Sequence, residues 1–447
     1  MKKFLYVLFG AGLIILLHFV LQDLFPKSVG RLPVFAALFL FDLYLFLSYL
    51  PTIKKWKKSL SIVVSLLYWF PAILVVSIII TSFWYHFMEW DRAFRVMFVG
   101  IIFVGYMAKL VPIIFLFIAD LLRLIRYISK PKSKQEVKSF GRKMPRSEFL
   151  KKSGLVVGGL MFSGLFWGMV KWVYDFKIWR ETVNLPDLPP SFSGFRIVQF
   201  TDIHLGGWVL KHELEEAVEE MNSLNPDIIV FTGDLVNYRT DEAFEFTNIL
   251  KKLKAKQGVY AILGNHDYGD YTKWPSKEAK EENMQQLYDF YEEVGWKLLR
   301  NENVHLKRGS DEIALLGVEN WGSLKRFPKY GDLDKAIAGA EDIPVKILLS
   351  HDPTHWQHKV SQFQYTINLT LAGHTHGGQF GFEFPGMRWS PVQYAYKLWA
   401  GMYHKENSTT GDKQHLYVNR GIGTIGYPGR VGILPEITLI ELQAKDA

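Results

Sequence analysis

The chain has 447 residues, 49% of them hydrophobic, no cysteine and a formal charge of +8. Without cysteine there is no disulfide framework, thiolate metal site or thiol nucleophile, so any metal must be held by His, Asp, Glu or Asn. The charge is divided: residues 1–175 hold 23 Lys/Arg against 8 Asp/Glu, or +15, and residues 176–447 hold the other 29 against 36, or −7. The basic excess lies wholly in the apolar first part, which argues against a nucleic-acid surface.

Apolar runs at Phe4–Leu21, Pro33–Leu50, Leu60–Tyr85 and Phe94–Ala119 each reach or exceed about 18 residues, roughly what a helix needs to cross 30 Å of hydrocarbon. The first follows Lys2 and Lys3 as a signal peptide would, but no small-residue cleavage site comes after it. A fifth run, Gly154–Tyr174, is Gly-rich and carries Lys171. These runs predict a four-helix transmembrane region over 1–130, a basic cytoplasmic loop over 131–153 and a fifth membrane helix over 154–175. The two strongly basic loops, one with Lys54, Lys55, Lys57 and Lys58 and the other from Arg123 to Lys152, fall on one side of the membrane. Positive loops stay inside, so the N-terminus is expected in the cytoplasm and everything after the fifth crossing outside it. A four-helix count would reverse that side. The expected location is the inner, or plasma, membrane.

Asp42 and Lys109 fall inside predicted spans, where a structural pair or interface snorkelling is the plainer explanation and a transport pathway the other. His18 is expected at the interface. The stretch Pro145–Leu160, PRSEFLKKSGLVVGGL, is similar to a twin-arginine export signal, with Ser147 where the second arginine belongs.

A polar segment with a Pro-rich patch, 176–194, reads as a linker. Beyond it, over 195–447, the pattern becomes α/β. Strands are predicted at Phe195–Phe200, Asp227–Phe231, Gly258–Leu263, Ile313–Val318, Val345–Leu349 and Ile367–Leu371. Helices are predicted at Lys211–Leu224, Asp241–Lys254 and Glu278–Val294. A closing strand pair is expected within Asn419–Ile440. The fold class is therefore a multi-pass α-helical membrane region followed by an α/β domain with its sheets flanked by helices.

Five predicted strands end in polar residues: Thr201-Asp202-Ile203-His204, Thr232-Gly233-Asp234, Gly264-Asn265-His266-Asp267, Ser350-His351-Asp352 and Gly373-His374-Thr375-His376. Ligands in open α/β sheets gather at the carboxyl ends of strands, so these loops should converge. A lone Asp-x-His or His-x-His is more often a surface pair or a satisfied core histidine. Five such loops together make an oxygen/nitrogen donor set suited to Mn, Fe or Zn. The set is too large for one ion with open positions, and two ions sharing a carboxylate fit better.

The DIH, GD, GNHD, SHD and GHTH segments, in this order, make the domain resemble the calcineurin-like metallophosphoesterase superfamily. FRIVQFTDIHLG, LNPDIIVFTGDLVN, LTLAGHTHGGQ and NRGIGTIGYPGRVGILPEI make it most similar to the bacterial membrane-anchored phosphodiesterase branch. That branch includes phosphoesterases with twin-arginine signals and hydrolases of a UDP-diacylglucosamine lipid precursor. The resemblance implies a first metal on Asp202, His204 and His376, a second on Asn265, His351 and His374, and Asp234 bridging both. A hydroxide shared by the metals would attack phosphorus. His266 would serve the leaving group as general acid or clamp, and Asp267 would orient its ring. Asn237 stands where relatives often have an acidic residue. The GHTHGGQ turn would let both histidines and Gln379 line the pocket.

His212, His305, His355, His358, His404 and His415 match no ligand position. Arg420 and Arg430 could touch a phosphate. The aromatic stretch Phe380, Phe382, Phe384, Trp389, Tyr394, Tyr396, Trp399 and Tyr403 reads either as a packed hairpin or as a lipid-facing wall. The expectation is a metal-dependent phosphodiesterase or phosphatase, with membrane lipids and a phosphoester, lipid-linked in one version, as partners, and no nucleic acid. A non-catalytic ligand sensor and a transporter with an accessory domain are the alternatives.

Overall fold

A computed structural model describes residues 32–81, 84–85, 87–129 and 146–444, together with Gly12. The apolar run Phe4–Leu21 with His18, and most of the basic loop, lie outside the described residues apart from Gly12. The chain divides into two compact units, Met1–Trp167 and Gly168–Ala447.

The first unit contains helices α1 (Leu32–Ile53), α2 (Lys58–Thr81), α3 (Arg92–Ile128) and α4, which runs from Arg146 to Val170 and crosses into the second unit. Each has a stretch long and apolar enough to cross a membrane: Ala36–Ile53, Lys58–Thr81, Arg92–Ile125 and Glu148–Tyr174. Side chains such as Leu66, Leu67, Phe117 and Ile118 stay exposed on the helices, as lipid-facing residues do. Where helices meet, small residues let the backbones approach. A Cβ at Gly105 would lie 2.4 Å from Pro71 Cγ, and one at Gly158 would lie 2.9 Å from the Ala108 carbonyl oxygen. The Gly-rich composition of the fifth apolar run thus has a packing reason. Its helix starts within the basic segment, at Arg146 rather than Gly154, since Glu148 and Lys152 pair across one turn at 3.0 Å.

Among the described residues of this unit, the buried carboxylate of Asp42 is satisfied internally. Asp42 Oδ1 accepts from Lys109 Nζ at 2.6 Å and from the Tyr68 hydroxyl at 3.2 Å. Its Oδ2 accepts from Tyr106 at 2.9 Å, and its backbone carbonyl accepts from Tyr68 at 2.7 Å.

The second unit is a sandwich of two six-stranded sheets. The first has the order β1 (Lys177–Leu185), β14 (Glu436–Ala444), β2 (Phe195–Phe200), β3 (Ile228–Phe231), β4 (Val259–Ala261), β5 (Trp296–Leu298). The second has the order β12 (Gly401–Glu406), β13 (Lys413–Val418), β9 (Leu369–Ala372), β8 (Lys346–Leu349), β7 (Asp311–Gly317), β6 (Glu302–Arg308). Strands β2 to β5 are mutually parallel, as are β7, β8 and β9. Alternation explains their continuous apolar reading. Phe195, Ile197, Ile228 and Val230 enter the core between the sheets, whereas Val198, Phe200, Ile229 and Phe231 pack on the opposite side, where helices cover the sheet. That cover includes α5 (Lys211–Ser223), whose Leu214, Ala217, Val218 and Met221 form its buried stripe, and α7 (Lys277–Glu293).

Three expectations need correction. The segment read as a linker contains β1, a nine-residue edge strand whose pairing with β14 runs from Lys177↔Glu436 to Leu185↔Ala444. The helix expected over Asp241–Lys254 is broken into the turns Thr240–Glu242 and Phe244–Phe246 and the one-turn α6 (Thr247–Leu250). Thr240 there gives its N–H and hydroxyl to Asn283 of α7 rather than to a helix. The terminal segment is not a strand pair: 419–435 is loop, and only β14 follows.

Candidate metal centre

The five polar segments follow β2, β3, β4, β8 and β9, all at carboxyl ends of parallel strands. The tight turns there force unusual backbone. Asp202, His204, Asp234, His374 and His376 all have φ between 48° and 73°, the left-handed region that non-glycine residues rarely enter. Such strain costs about 1–3 kcal/mol per residue and clusters at functional sites. Glycines permit the close approach: a Cβ at Gly264 would sit 2.2 Å from Asp234 Oδ1, and one at Gly373 would sit 2.4 Å from Asp202 Oδ2.

Three groups of donors result. Asp202, His204 and His376 form one, His204, Asp234 and His266 a second, and Asp234, His351 and His374 a third, with donor atoms in each within 4.8 Å of one another. Asp234 belongs to two groups that share no histidine, with Oδ2 lying 3.5 Å from His204 Nε2 and 3.2 Å from His351 Nε2. His376 Nε2 is 3.2 Å from Asp202 Oδ1 and 3.1 Å from His204 Nε2.

The other carboxylate oxygens lock the loops together. Asp202 Oδ2 accepts the His374 N–H and Asp234 Oδ1 the His266 N–H, both at 2.8 Å. The Thr232 carbonyl accepts the Nδ1–H of His351 at 2.7 Å, which leaves Nε2 facing Asp234, able to offer a lone pair once its proton is displaced. The Asn237 carbonyl does the same for His266 at 2.8 Å.

Burial governs the electrostatics. It pushes Asp202 up to about 7 and drives His204 down to about 3 and His374 to about 4. Burial also opposes ionisation of Asp234 and His351, but their mutual contact outweighs it: Asp234 is held well below the carboxylate range and His351 rises to about 10. Asp202 Oδ1 and Asn265 Oδ1 are buried with no hydrogen-bond partner, a costly arrangement. Oxygens without partners beside lone pairs that face one another fit a pair of hard or borderline cations, and the His/Asp clusters are consistent with a binuclear site.

Asp267 does not orient His266. Its carboxylate accepts the N–H groups of Asp234 (2.9 Å), Leu235 (2.8 Å) and Gly264 (2.8 Å), so it shapes the GD and GNHD loops, while the Asn237 carbonyl holds the imidazole. Gln379 does not line a pocket: its amide reaches the carbonyls of Tyr427 (2.7 Å) and Gly429 (3.0 Å). Neither Arg420 nor Arg430 is available to a phosphate. Arg420 is buried against Glu436 and Glu383. Arg430 is buried and donates to the carbonyls of Gly423, Arg420 and His376. The six other histidines of the second unit join none of the three donor groups. His355, for example, is buried with Nδ1 2.9 Å from Ser350 Oγ.

The aromatic stretch divides between the two readings. Phe382 and Trp389 stack at 5.7 Å across the β10–β11 hairpin (Phe382–Phe384 with Met387–Trp389), while Phe384, Met387 and Tyr394 are exposed. Tyr396 takes neither part; its hydroxyl is 2.8 Å from His374 Nε2. Tyr271, which no motif marks, accepts from Asn265 Nδ2 at 2.9 Å and lays its ring 4.3 Å from that of His266.

This is the centre of a metallophosphoesterase. Residues 195–378 match the family described as calcineurin-like phosphoesterase, and residues 27–172 match the probable calcineurin-like phosphoesterase transmembrane domain. The metallophosphoesterase YkuE of Bacillus subtilis is 32% identical over 315 residues, covering 68% of this chain and all of that protein. Transmembrane proteins with a metallophosphoesterase domain are similar too, from Danio rerio (30% identity, 62% of this chain and 60% of that protein) and Bos taurus (31%, 59% and 56%). The chain thus matches little more than half the length of the two animal proteins. The chain belongs to the calcineurin-like phosphoesterase family and is a multi-pass membrane member of it.

Proposed function

We propose that this chain is a membrane-anchored phosphoesterase that hydrolyses a phosphomonoester, phosphodiester or pyrophosphate at two metal ions of the Mn, Fe or Zn type. The observation that carries this reading is the convergence of strained donor loops on partnerless buried oxygens. Asp202, His204 and His376 would hold one ion, Asn265, His351 and His374 the other, and Asp234 both. When bound, such a pair supplies Lewis acidity toward phosphoryl oxygens and a water activated at neutral pH. The chain's own residues do the rest. His266, with Nδ1–H given to Asn237, turns Nε2 into the site, where it serves the leaving oxygen as general acid or clamp. Asp267 fixes the loops that carry Asp234 and His266.

A lipid-linked envelope ester suits an active site tethered to a bilayer, with Phe384, Met387 and Tyr394 as candidates for lipid contact. The loop charges favour an extracytoplasmic catalytic domain, and the −7 charge beyond residue 175 disfavours nucleic acid. The test is hydrolysis of bis-p-nitrophenyl phosphate by the purified full chain loaded with Mn. Asp234→Asn should lower kcat by roughly a thousandfold or more, since several kcal/mol of charge stabilisation is lost. An unchanged rate at full metal content would overturn the reading.

A further inference from the structure

We propose that Arg326 is a specificity-determining residue of this site, a guanidinium that grips a non-reacting oxygen of the substrate's phosphate. The inference rests on the proposed phosphoesterase function and extends it to a residue outside every motif. Arg326 lies in the connection between β7 and α8 (Leu333–Ile337), which folds back on itself as a tied hairpin. Trp321 bridges Lys329, the Asn320 carbonyl accepts the Tyr330 N–H at 2.9 Å, and Ser323 N–H donates to Thr354 Oγ1 at 3.0 Å. At its tip the Phe327 N–H donates to the Leu324 carbonyl at 3.1 Å, leaving Lys325 and Arg326 as the central residues of a turn.

The next residue pins that turn to the site. Phe327 is buried, and its ring meets the His374 ring edge-on at 4.9 Å. The Arg326 guanidinium lies 4.7 Å from the centre of the Phe327 ring and beside Tyr396, whose hydroxyl is 2.8 Å from His374 Nε2. Arg326 is exposed and, among the described residues, forms no ion pair with a carboxylate. A fixed cation without an acid partner, beside a donor set built for two more cations, gains most when an anion lies between them. A planar guanidinium matches two phosphate oxygens at once. The substrate class this favours is an ester whose phosphate leaves two unesterified oxygens on the Arg326 side, or one that carries a second anionic group there.

The experiment measures inorganic phosphate binding to the Mn-loaded full chain by calorimetry, alongside kcat and KM for bis-p-nitrophenyl phosphate and p-nitrophenyl phosphate. Arg326→Ala should weaken phosphate binding by roughly 10- to 100-fold and raise KM more than it lowers kcat, with metal content and Tm unchanged. Arg326→Lys should recover part of the affinity, and Lys325→Ala, on the same turn, should change little. Unaltered phosphate affinity in Arg326→Ala, or an equal loss in Lys325→Ala, would overturn the proposal. A wild-type chain that binds phosphate through Arg326 but hydrolyses neither ester would refute the phosphoesterase reading and leave the clamp standing.

Discussion

The two units each bury a carboxylate cluster, and the clusters are built in opposite ways. In the membrane helices both carboxylate oxygens and the carbonyl of Asp42 have donors from Lys109, Tyr68 and Tyr106. In the metal centre Asp202 Oδ1 and Asn265 Oδ1 have none, and His204 and His376 turn ring nitrogens toward each other. A cluster that satisfies itself is part of the framework. One left unsatisfied, on strained backbone, is shaped for something not made of protein.

Removing metal is the sharpest way to press that difference. Chelation should abolish hydrolysis and lower the Tm of the catalytic unit, and Mn should restore both; ligand at a hundred times its Kd stabilises by about 2.7 kcal/mol. Scanning calorimetry of the full chain would show it, and Asp234→Asn should erase the shift. Next in size is Asp42→Leu, which strands Lys109 and should destabilise the membrane bundle by about 3–5 kcal/mol, whereas the double variant Asp42→Leu/Lys109→Leu should regain most of the loss. If the double variant stays folded yet loses esterase activity, the membrane pair is functional and the contrast fails.

His266→Asn should cut kcat by about 10²–10³-fold at unchanged metal content, read by steady-state kinetics and elemental analysis. Tyr396→Phe removes a partner of His374 and should weaken metal binding by about tenfold, measured by competition with a chromophoric chelator. The smallest effect concerns pH. Burial, with Lys359 adding to it, holds His355 down to about 3, so the unfolded chain takes up this proton first. The contribution is complete above the ordinary imidazole value near 6.5 and is lost as pH falls from there toward 3. His355→Asn should flatten the Tm–pH curve over that window.

What could be read from the sequence follows from which signals are local. Strands β2, β3, β8 and β9 are buried on both faces, so they appear as unbroken apolar runs with polar residues at one end. β1 is a partly exposed edge strand of alternating character beside prolines, and it reads as a connection. β14 hides because its inward Glu436 and Thr438 are polar and pair with Tyr417 and Asn419, at the end of β13 in the other sheet. The donor residues were visible because their types are specific to the chemistry. Their supports were not: the Thr232 and Asn237 carbonyls belong to the backbone, which every residue has. Arg430, which suggested a phosphate contact, is instead buried by a loop whose course only the fold reveals. Phe327 and Arg326 share a turn with no motif, and only its tie to Thr354 and His374 places them.

The position of β14 has a consequence for biogenesis. Strand β14 lies inside the first sheet, between β1 and β2, and the loop before it carries Arg430 to the carbonyl of His376. Until synthesis passes residue 436, β1 and β2 have no partner between them and the His376 turn lacks its anchor. A chain still emerging from the ribosome or the translocon therefore carries all seven donors but no assembled centre. Assembly of the donor loops therefore waits for residues 430–444, which follow the membrane helices and every donor segment in the chain.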